Sequence, residues 1–276
     1  MSILRTVRTI YNKQLEIISM LGGEYTPPLN TTLNAIYDVH PTPNTLDGRP
    51  VLKYFGLGMA YDRTREESSG VITELGHSST DCNVFFPVPL LMRKVSIGLT
   101  PLEESYYRLR INRVINDEEY ILCYLKTFVP SSTGTIYNVT KDAEGFGLDI
   151  FTPNSASLRP IPKPLDLKDT NDVGHYVAYS HSLTVNLTHA ELVNIKEAIG
   201  LLYPDRIAKF GYTLGEIGFF TGEEGTLNNK PEAANVQAGF LKEINVILDD
   251  IDLESDTGVR ITEEIGSMEL NLEGAV

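Results

Sequence analysis

The 276-residue sequence has no tryptophan, only two cysteines, and too few basic residues (23) to balance its 37 acidic ones. It also has no run approaching the roughly 18 apolar residues that a membrane-spanning helix needs. Each shortage excludes something. Glycoside-cleaving clefts usually stack sugars on tryptophan, so its absence counts against a carbohydrate enzyme. Two cysteines make no disulfide framework. Cys123, inside the apolar run "YILCYLKTF", reads as a small buried hydrophobe, and Cys82 in a polar turn reads as a free thiol. The net charge of −14 repels nucleic-acid backbones and anionic lipid surfaces. The start "MSILRTVRTIY" interleaves arginines with apolar residues, unlike a secretory signal. Neither a nucleic acid nor a membrane is expected as a partner.

What is present suffices for a core: 42% hydrophobic and 22% charged residues are ordinary for a globular chain of this length. Residues 2–21 carry apolar side chains near helical spacing and stop at Gly22-Gly23, which predicts a helix. The Pro-, Thr- and Asn-rich stretch 24–50 reads as an extended arm. From Val51 to Phe151 the pattern is β. "YYRLRINRVI" and "YILCYLKTF" alternate with period two around the turn "NDEE", predicting a hairpin whose exposed face carries Arg108, Arg110 and Lys126. "LTPLEESYYR" before it predicts a short helical turn with Thr100 as cap and Pro101 at the first position. Residues 152–174 form a Pro-rich connector. Beyond it "HYVAYSHSLTVNL" reads as a strand. "THAELVNIKEAIGLLY" reads as a helix capped by Thr188, with Glu191 three residues on and a buried stripe of Leu192, Ile195, Ile199 and Leu202. The fold class expected is α+β: predominantly antiparallel β, with an N-terminal helix and one long helix at about 188–203. The organisation expected is an N-terminal helix and arm (1–50), a β domain (51–151), a connector (152–174) and an α+β segment (175–276).

Candidate sites are few. "YTLGEIGFFTGEEG" (212–225) is glycine-rich, but a phosphate-cradling loop needs Lys and Ser or Thr after its last glycine. Here Gly222 is followed by Glu223-Glu224, so the stretch reads as a strand whose glycines mark a bulge or a close backbone approach. In "DLESDTGVRITE", Asp252, Glu254, Asp256 and Glu263 take the first, third, fifth and twelfth places of a calcium loop, with Val259 as the apolar residue between. The sixth place holds Thr257 where glycine is needed, so a β-hairpin turning at "SDTG" is the favoured reading. His77 and Cys82 flank "SSTD", and His175 and His181 share a strand side only if no bulge intervenes; neither pair is a complete metal set. No nucleophile elbow is present. The acidic doublets at 66–67, 103–104, 118–119, 223–224 and 263–264 read as solvated charge. No cofactor, resident metal, small-molecule substrate or enzymatic activity is expected.

Two stretches resemble a known class of proteins. "VFFPVPLLMRKVSIGLTPLEESYYRLRINRVINDEEYILCYLKTF" and "LTVNLTHAELVNIKEAIGLLYPDR…LGEIGFFTG" are similar to virion structural proteins of large tailed bacteriophages. The departures are Leu214-Gly215 before Glu216, and Phe219 where leucine is usual. The resemblance implies a non-enzymatic structural subunit in the baseplate, tail or neck. Its partners would be other virion proteins and copies of itself, and its location the virion, assembled in the host cytoplasm. The alternatives are a minor capsid or head-decorating protein, and a polysaccharide-binding module of a receptor-binding tail protein.

Overall fold

A computed structural model describes residues 6–20, 51–59, 64–66, 72–74, 77–130, 134–142, 145–152, 174–251 and 257–270. In chain order the elements are β1 (Val7–Arg8), α1 (Ile10–Met20), β2 (Val51–Met59), β3 (Thr64–Glu66), β4 (Ile72–Glu74), β5 (Pro87–Val88) and β6 (Leu91–Lys94). There follow α2 (Pro101–Tyr106), β7 (Tyr107–Ile115), β8 (Glu118–Thr127), β9 (Gly134–Asp142), β10 (Gly145–Ile150) and β11 (Gly174–Leu187). The chain continues through α3 (His189–Leu202), α4 (Pro204–Phe210), β12 (Thr213–Leu227), β13 (Lys230–Ile247), a 3-10 turn (Leu248–Asp250) and β14 (Val259–Leu270). The fold is α+β and mostly antiparallel β, with few helices.

By its internal contacts the chain divides into two units. The larger comprises Val7–Val129 with Val185–Ile261, and the smaller Met1–Thr6, Pro130–Thr184 and Thr262–Val276. The dividing points fall inside β11 and β14. The arm at 24–50 and most of the connector, residues 153–173, lie outside the described residues.

The larger unit is built on one sheet in the order β1-β13-β12-β2-β8-β6, with β7 on β8 and β5 on β2. Two long hairpins dominate it. In β7–β8 the pair Ile115↔Glu118 encloses Asn116 and Asp117, whose φ angles are 51° and 63°. In β12–β13 the pair Leu227↔Lys230 encloses Asn228 and Asn229, at 51° and 62°. Two-residue turns with both φ positive match the twist of the strands they join, and Asn and Asp tolerate that region because their side chains bond locally. The sheet curls: β7 returns to face β13, so Leu109, Leu122, Leu125, Tyr54, Phe220, Val236 and Leu241 share one buried cluster.

The glycines of β12 serve packing. A Cβ on Gly218 would stand 2.7 Å from the Phe220 ring, closer than side chains pack. The pairing with β13 shifts register between Leu214 and Glu216, between Phe219 and Phe220, and between Thr221 and Glu223. Such bulges add the twist that a fifteen-residue strand needs in a curled sheet.

The helices sit on the larger unit. The helix expected over 2–21 occupies Ile10–Met20 among the described residues, and Val7–Arg8 is instead a strand on the edge of β13. Thr9 decides the change. Its hydroxyl donates to the Ala238 carbonyl at 2.5 Å and accepts from the Asn12 N–H at 3.2 Å, pinning the strand end and capping the helix. Capping boxes open α2 (Thr100 with Glu103) and α3 (Thr188 with Glu191). Leu192, Ile195, Ala198 and Ile199 form the buried face of α3.

The smaller unit is a four-stranded sheet in the order β10-β9-β11-β14. β14 lies beside β11 and among the described residues does not pair with β13, while the turn expected at "SDTG" falls partly outside the described residues. The alternation was correctly β, but a strand's partner is set by packing at long range.

Candidate functional site

The chemistry-bearing side chains of the larger unit gather in two buried places. The first is the seam where β7 meets β13. Leu109 takes φ = 56°, a left-handed conformation that costs a branched side chain about 1–2 kcal/mol. The kink points its N–H away from the β8 ladder and into Glu232 Oε1 at 2.5 Å. The same oxygen accepts the Ala233 N–H at 2.9 Å, and Glu232 Oε2 lies 3.8 Å from Arg110 Nε. One residue away, Arg108 donates through Nε (3.1 Å) and Nη2 (3.0 Å) to Glu224 Oε2. Glu224 Oε1 takes Lys53 Nζ at 2.8 Å and the Tyr54 hydroxyl at 3.0 Å. Burial pushes the Glu224 carboxyl up, but Lys53 and Arg108 outweigh it and hold the group below the ordinary glutamate range. Burial and the neighbouring Glu224 push the Tyr54 phenol far up, so it remains a donor.

This arrangement overturns two expectations. Arg108 and Arg110 do not form an exposed basic strip: Arg108 is 4% exposed and bound to Glu224. The kink at Leu109 breaks the period-two alternation on which that expectation rested. Nor is Glu224 simply solvated charge, since it binds three protein groups. Lys126 is likewise engaged. Its ammonium lies 2.7 Å from Glu191 Oε1, which also takes the Tyr107 hydroxyl. Burial raises the Glu191 carboxyl, but bonds from Lys126, Tyr107 and Thr188 overcome that and lower it.

The second place is a buried imidazole. The His77 side chain, 2% exposed, lies between Asp81 Oδ2 (3.2 Å from Nδ1) and Glu216 Oε2 (3.7 Å from Nε2). Its ring stacks on Phe85 at 5.7 Å with 14° between planes. Glu216 Oε2 accepts the Phe85 N–H at 2.6 Å, fastening the segment 77–86 to β12. Gly58 on β2 makes room: a Cβ there would stand 2.4 Å from the Phe85 carbonyl oxygen and 3.2 Å from Glu216 Oε2. The nearby hydroxyls and thiol are not set up for attack. Ser78 Oγ pairs with Thr80 Oγ1 at 3.0 Å, and burial pushes the Cys82 thiol up, away from the reactive thiolate. Chemically the triad fixes a loop to a sheet.

The residues singled out by spacing fall elsewhere. Asp252, Glu254 and Asp256 lie outside the described residues, and Glu263 is half-buried on β14. His175 and His181 pair with β9 without a register shift, so they share a face. Six residues of strand separate them by about 20 Å, too far for one ion. No group of three His, Cys, Asp or Glu side chains among the described residues could hold a metal. Cys123 is buried, its thiol pushed up to about 12 by burial, and both cysteines are free. No helix among the described residues is long and apolar enough to cross a membrane. Sequence reasoning missed Glu216 and Glu232. The available signal was an acid inside an apolar strand, as in "LGEIGFF", since a carboxylate is buried only where donors meet it.

A family model matches residues 2–239. The chain belongs to DUF7208, a family of unknown function. No curated protein and no solved structure matches it. The matched span takes in both buried clusters, so the seam and the His77 triad lie within the family's domain.

Proposed function

We propose that this DUF7208 protein is a non-enzymatic structural subunit of a tailed-bacteriophage virion, placed in the baseplate, tail or neck, where it binds other virion proteins and copies of itself. The observation that supports this reading is what the phage-like residues do. Thr100 with Glu103 and Thr188 with Glu191 cap helices, Arg108 binds Glu224, and Glu216 fastens a loop. These residues hold a scaffold together, and their charges are spent on one another. A subunit whose work is to be a rigid part needs such a scaffold, together with apolar side chains left outside for neighbours. Ile97, Leu102, Val114 and Val129 of the larger unit are all more than 60% exposed.

The test is incorporation. A tagged copy expressed during infection should appear in purified particles at fixed stoichiometry, in the tail or neck fraction after disruption. Its absence from particles would refute the proposal. A reproducible thermal shift of the purified protein with ATP or zinc at micromolar levels would refute the expectation that it holds no nucleotide or resident metal.

A further inference from the structure

Arginine and lysine supply the cation in most ion pairs of the larger unit, as in Arg108 with Glu224 and Lys126 with Glu191. Those cations hold their charge throughout the neutral pH range. His77 differs, because an imidazole gains or loses its proton there. Its buried ring meets a carboxylate on each side, Asp81 Oδ2 at 3.2 Å from Nδ1 and Glu216 Oε2 at 3.7 Å from Nε2. A neutral imidazole carries one N–H, so one of its nitrogens would turn a lone pair toward a carboxylate oxygen. Only the imidazolium presents a proton to both. The arrangement fits the charged ring.

Much of the surrounding backbone hangs on this ring. Asp81 Oδ2 also accepts the Ser78 N–H at 2.8 Å, and the Asp81 N–H donates to the Ser78 carbonyl at 3.0 Å, closing the turn that carries the imidazole. On the other side Glu216 Oε2 accepts the Phe85 N–H, and Phe85 stacks on His77. The same segment reaches two further elements. The Ile10 N–H, at the start of α1, donates to the Ser79 carbonyl at 2.8 Å, and the Met59 N–H, at the end of β2, donates to the Phe86 carbonyl at 3.2 Å. Among the described residues the titratable groups against the ring are Asp81 from its own segment and Glu216 from β12, while β2 brings the uncharged Gly58 beside Glu216. Carboxyls ordinarily titrate well below neutrality. Cys82, next to Asp81, has its thiol pushed up by burial. A change of charge in this segment near neutral pH is therefore a change at His77.

We infer that His77 is a proton-operated clasp: as imidazolium it ties Asp81 to Glu216 and holds segment 77–86 on β12, and on losing its proton it loosens that segment together with the start of α1. The physical reason is the cost of breaking a buried charged cluster from one side, which leaves two carboxylates facing each other across a neutral ring. Carboxylates on both sides favour the charged ring. The clasp is thus complete below the ordinary imidazole value of about 6.5 and opens as the pH rises through the value in the fold. Its direction is opposite to that of the Glu191 and Glu224 carboxyls, whose contribution is lost in acid. The clasp rests on these contacts alone and does not depend on the virion reading.

Nitrogen-15 NMR of the full chain tests the clasp through the His77 ring and through amide hydrogen exchange. At about pH 6 both ring nitrogens of His77 should carry protons, and one should lose its proton as the pH is raised. Over that titration the protection of the Phe85 and Ile10 amides, corrected for their intrinsic exchange rates, should fall about tenfold, while that of Leu122 in the β8 ladder stays constant. In Glu216→Gln, which keeps an oxygen for the Phe85 N–H, the His77 titration should move to lower pH. In His77→Gln the protection of Phe85 and Ile10 should no longer change with pH. A ring that is neutral at about pH 6, or one still charged at about pH 9, would overturn the clasp. Protection that stays constant while His77 titrates would overturn it too, as would an equal fall at Leu122, which marks loosening of the whole unit. Should either variant fail to fold, the wild-type titration still decides, with His77 assigned from triple-resonance spectra.

Discussion

The two long hairpins of the larger unit are alike at the turn and unlike at the base. Both close through two residues with positive φ, Asn116-Asp117 and Asn228-Asn229. Strand β12 is laddered on both sides, to β13 and β2, and absorbs its twist in three register shifts. Strand β7 is laddered only to β8 among the described residues, and its other edge is held by side chains. Glu232 supplies the acceptor that a neighbouring strand would have supplied, while Arg108 and Glu224 add an ion pair beside it. An edge can therefore be secured without a ladder. The cost is the left-handed Leu109 and a fully buried carboxylate.

Removing the acceptor should loosen the β7 edge most severely. Glu232→Ala leaves the Leu109 N–H, the Ala233 N–H and Arg110 without their carboxylate. Stability should fall by about 3–5 kcal/mol, the usual cost of breaking a buried charged pair from one side. Urea denaturation of the wild type and variant measures it, and a loss below about 1 kcal/mol would mean that the seam is held by apolar packing alone. The anchor of β12 gives the next largest effect. Gly58→Ala forces a methyl against the Phe85 carbonyl and Glu216, and should cost about 1–3 kcal/mol, as overpacking does. A neutral result in the same assay would show that the 77–86 segment gives way freely.

Acid should separate the contributions by their sign. The Glu191 and Glu224 carboxyls are held below the ordinary glutamate value in the fold. Their stabilisation is thus complete above the unfolded value, about 4.3, and is lost as pH falls through the lower folded values. The thermal midpoint should drop between pH 5 and pH 3, and Glu191→Gln should drop less over that interval because it has nothing left to protonate. An unchanged slope in the variant would remove Glu191 from the account. The smallest effect belongs to the turns. Asp117→Gly and Asn229→Gly suit positive φ at least as well as the native residues. Each should change stability by no more than about 0.5 kcal/mol, with the same sign in both hairpins. Opposite signs would show that the bases, not the turns, set each hairpin's geometry.

Much of the local structure was legible. Thr100 with Glu103 and Thr188 with Glu191 announce helix starts because both hydrogen bonds of a capping box lie within four residues. The β12 glycines read correctly as close approaches, since phosphate chemistry is excluded by the acids beside them. The basic strip on β7 misread because alternation presumes a regular strand, and nothing local to Leu109 shows the kink that Glu232, 123 residues away, draws out. The strand at Val7–Arg8 was hidden for the same reason, its partner being Phe240 and Leu241. The candidate sites were harder still. His77 and Glu216 stand 139 positions apart and come together only when the 77–86 segment is fastened to β12.

The β-rich class, the hairpin around Asn116-Asp117, the helix caps at Thr100 and Thr188 and the acidic charge were all readable from the sequence alone. These depend on φ preferences, period and composition, which act within a few residues. The curled sheet settles which strand neighbours which and where each buried charge finds its partner. Such pairings compare contacts between distant segments, and their energies exist only once the sheet has curled and water has left its interior.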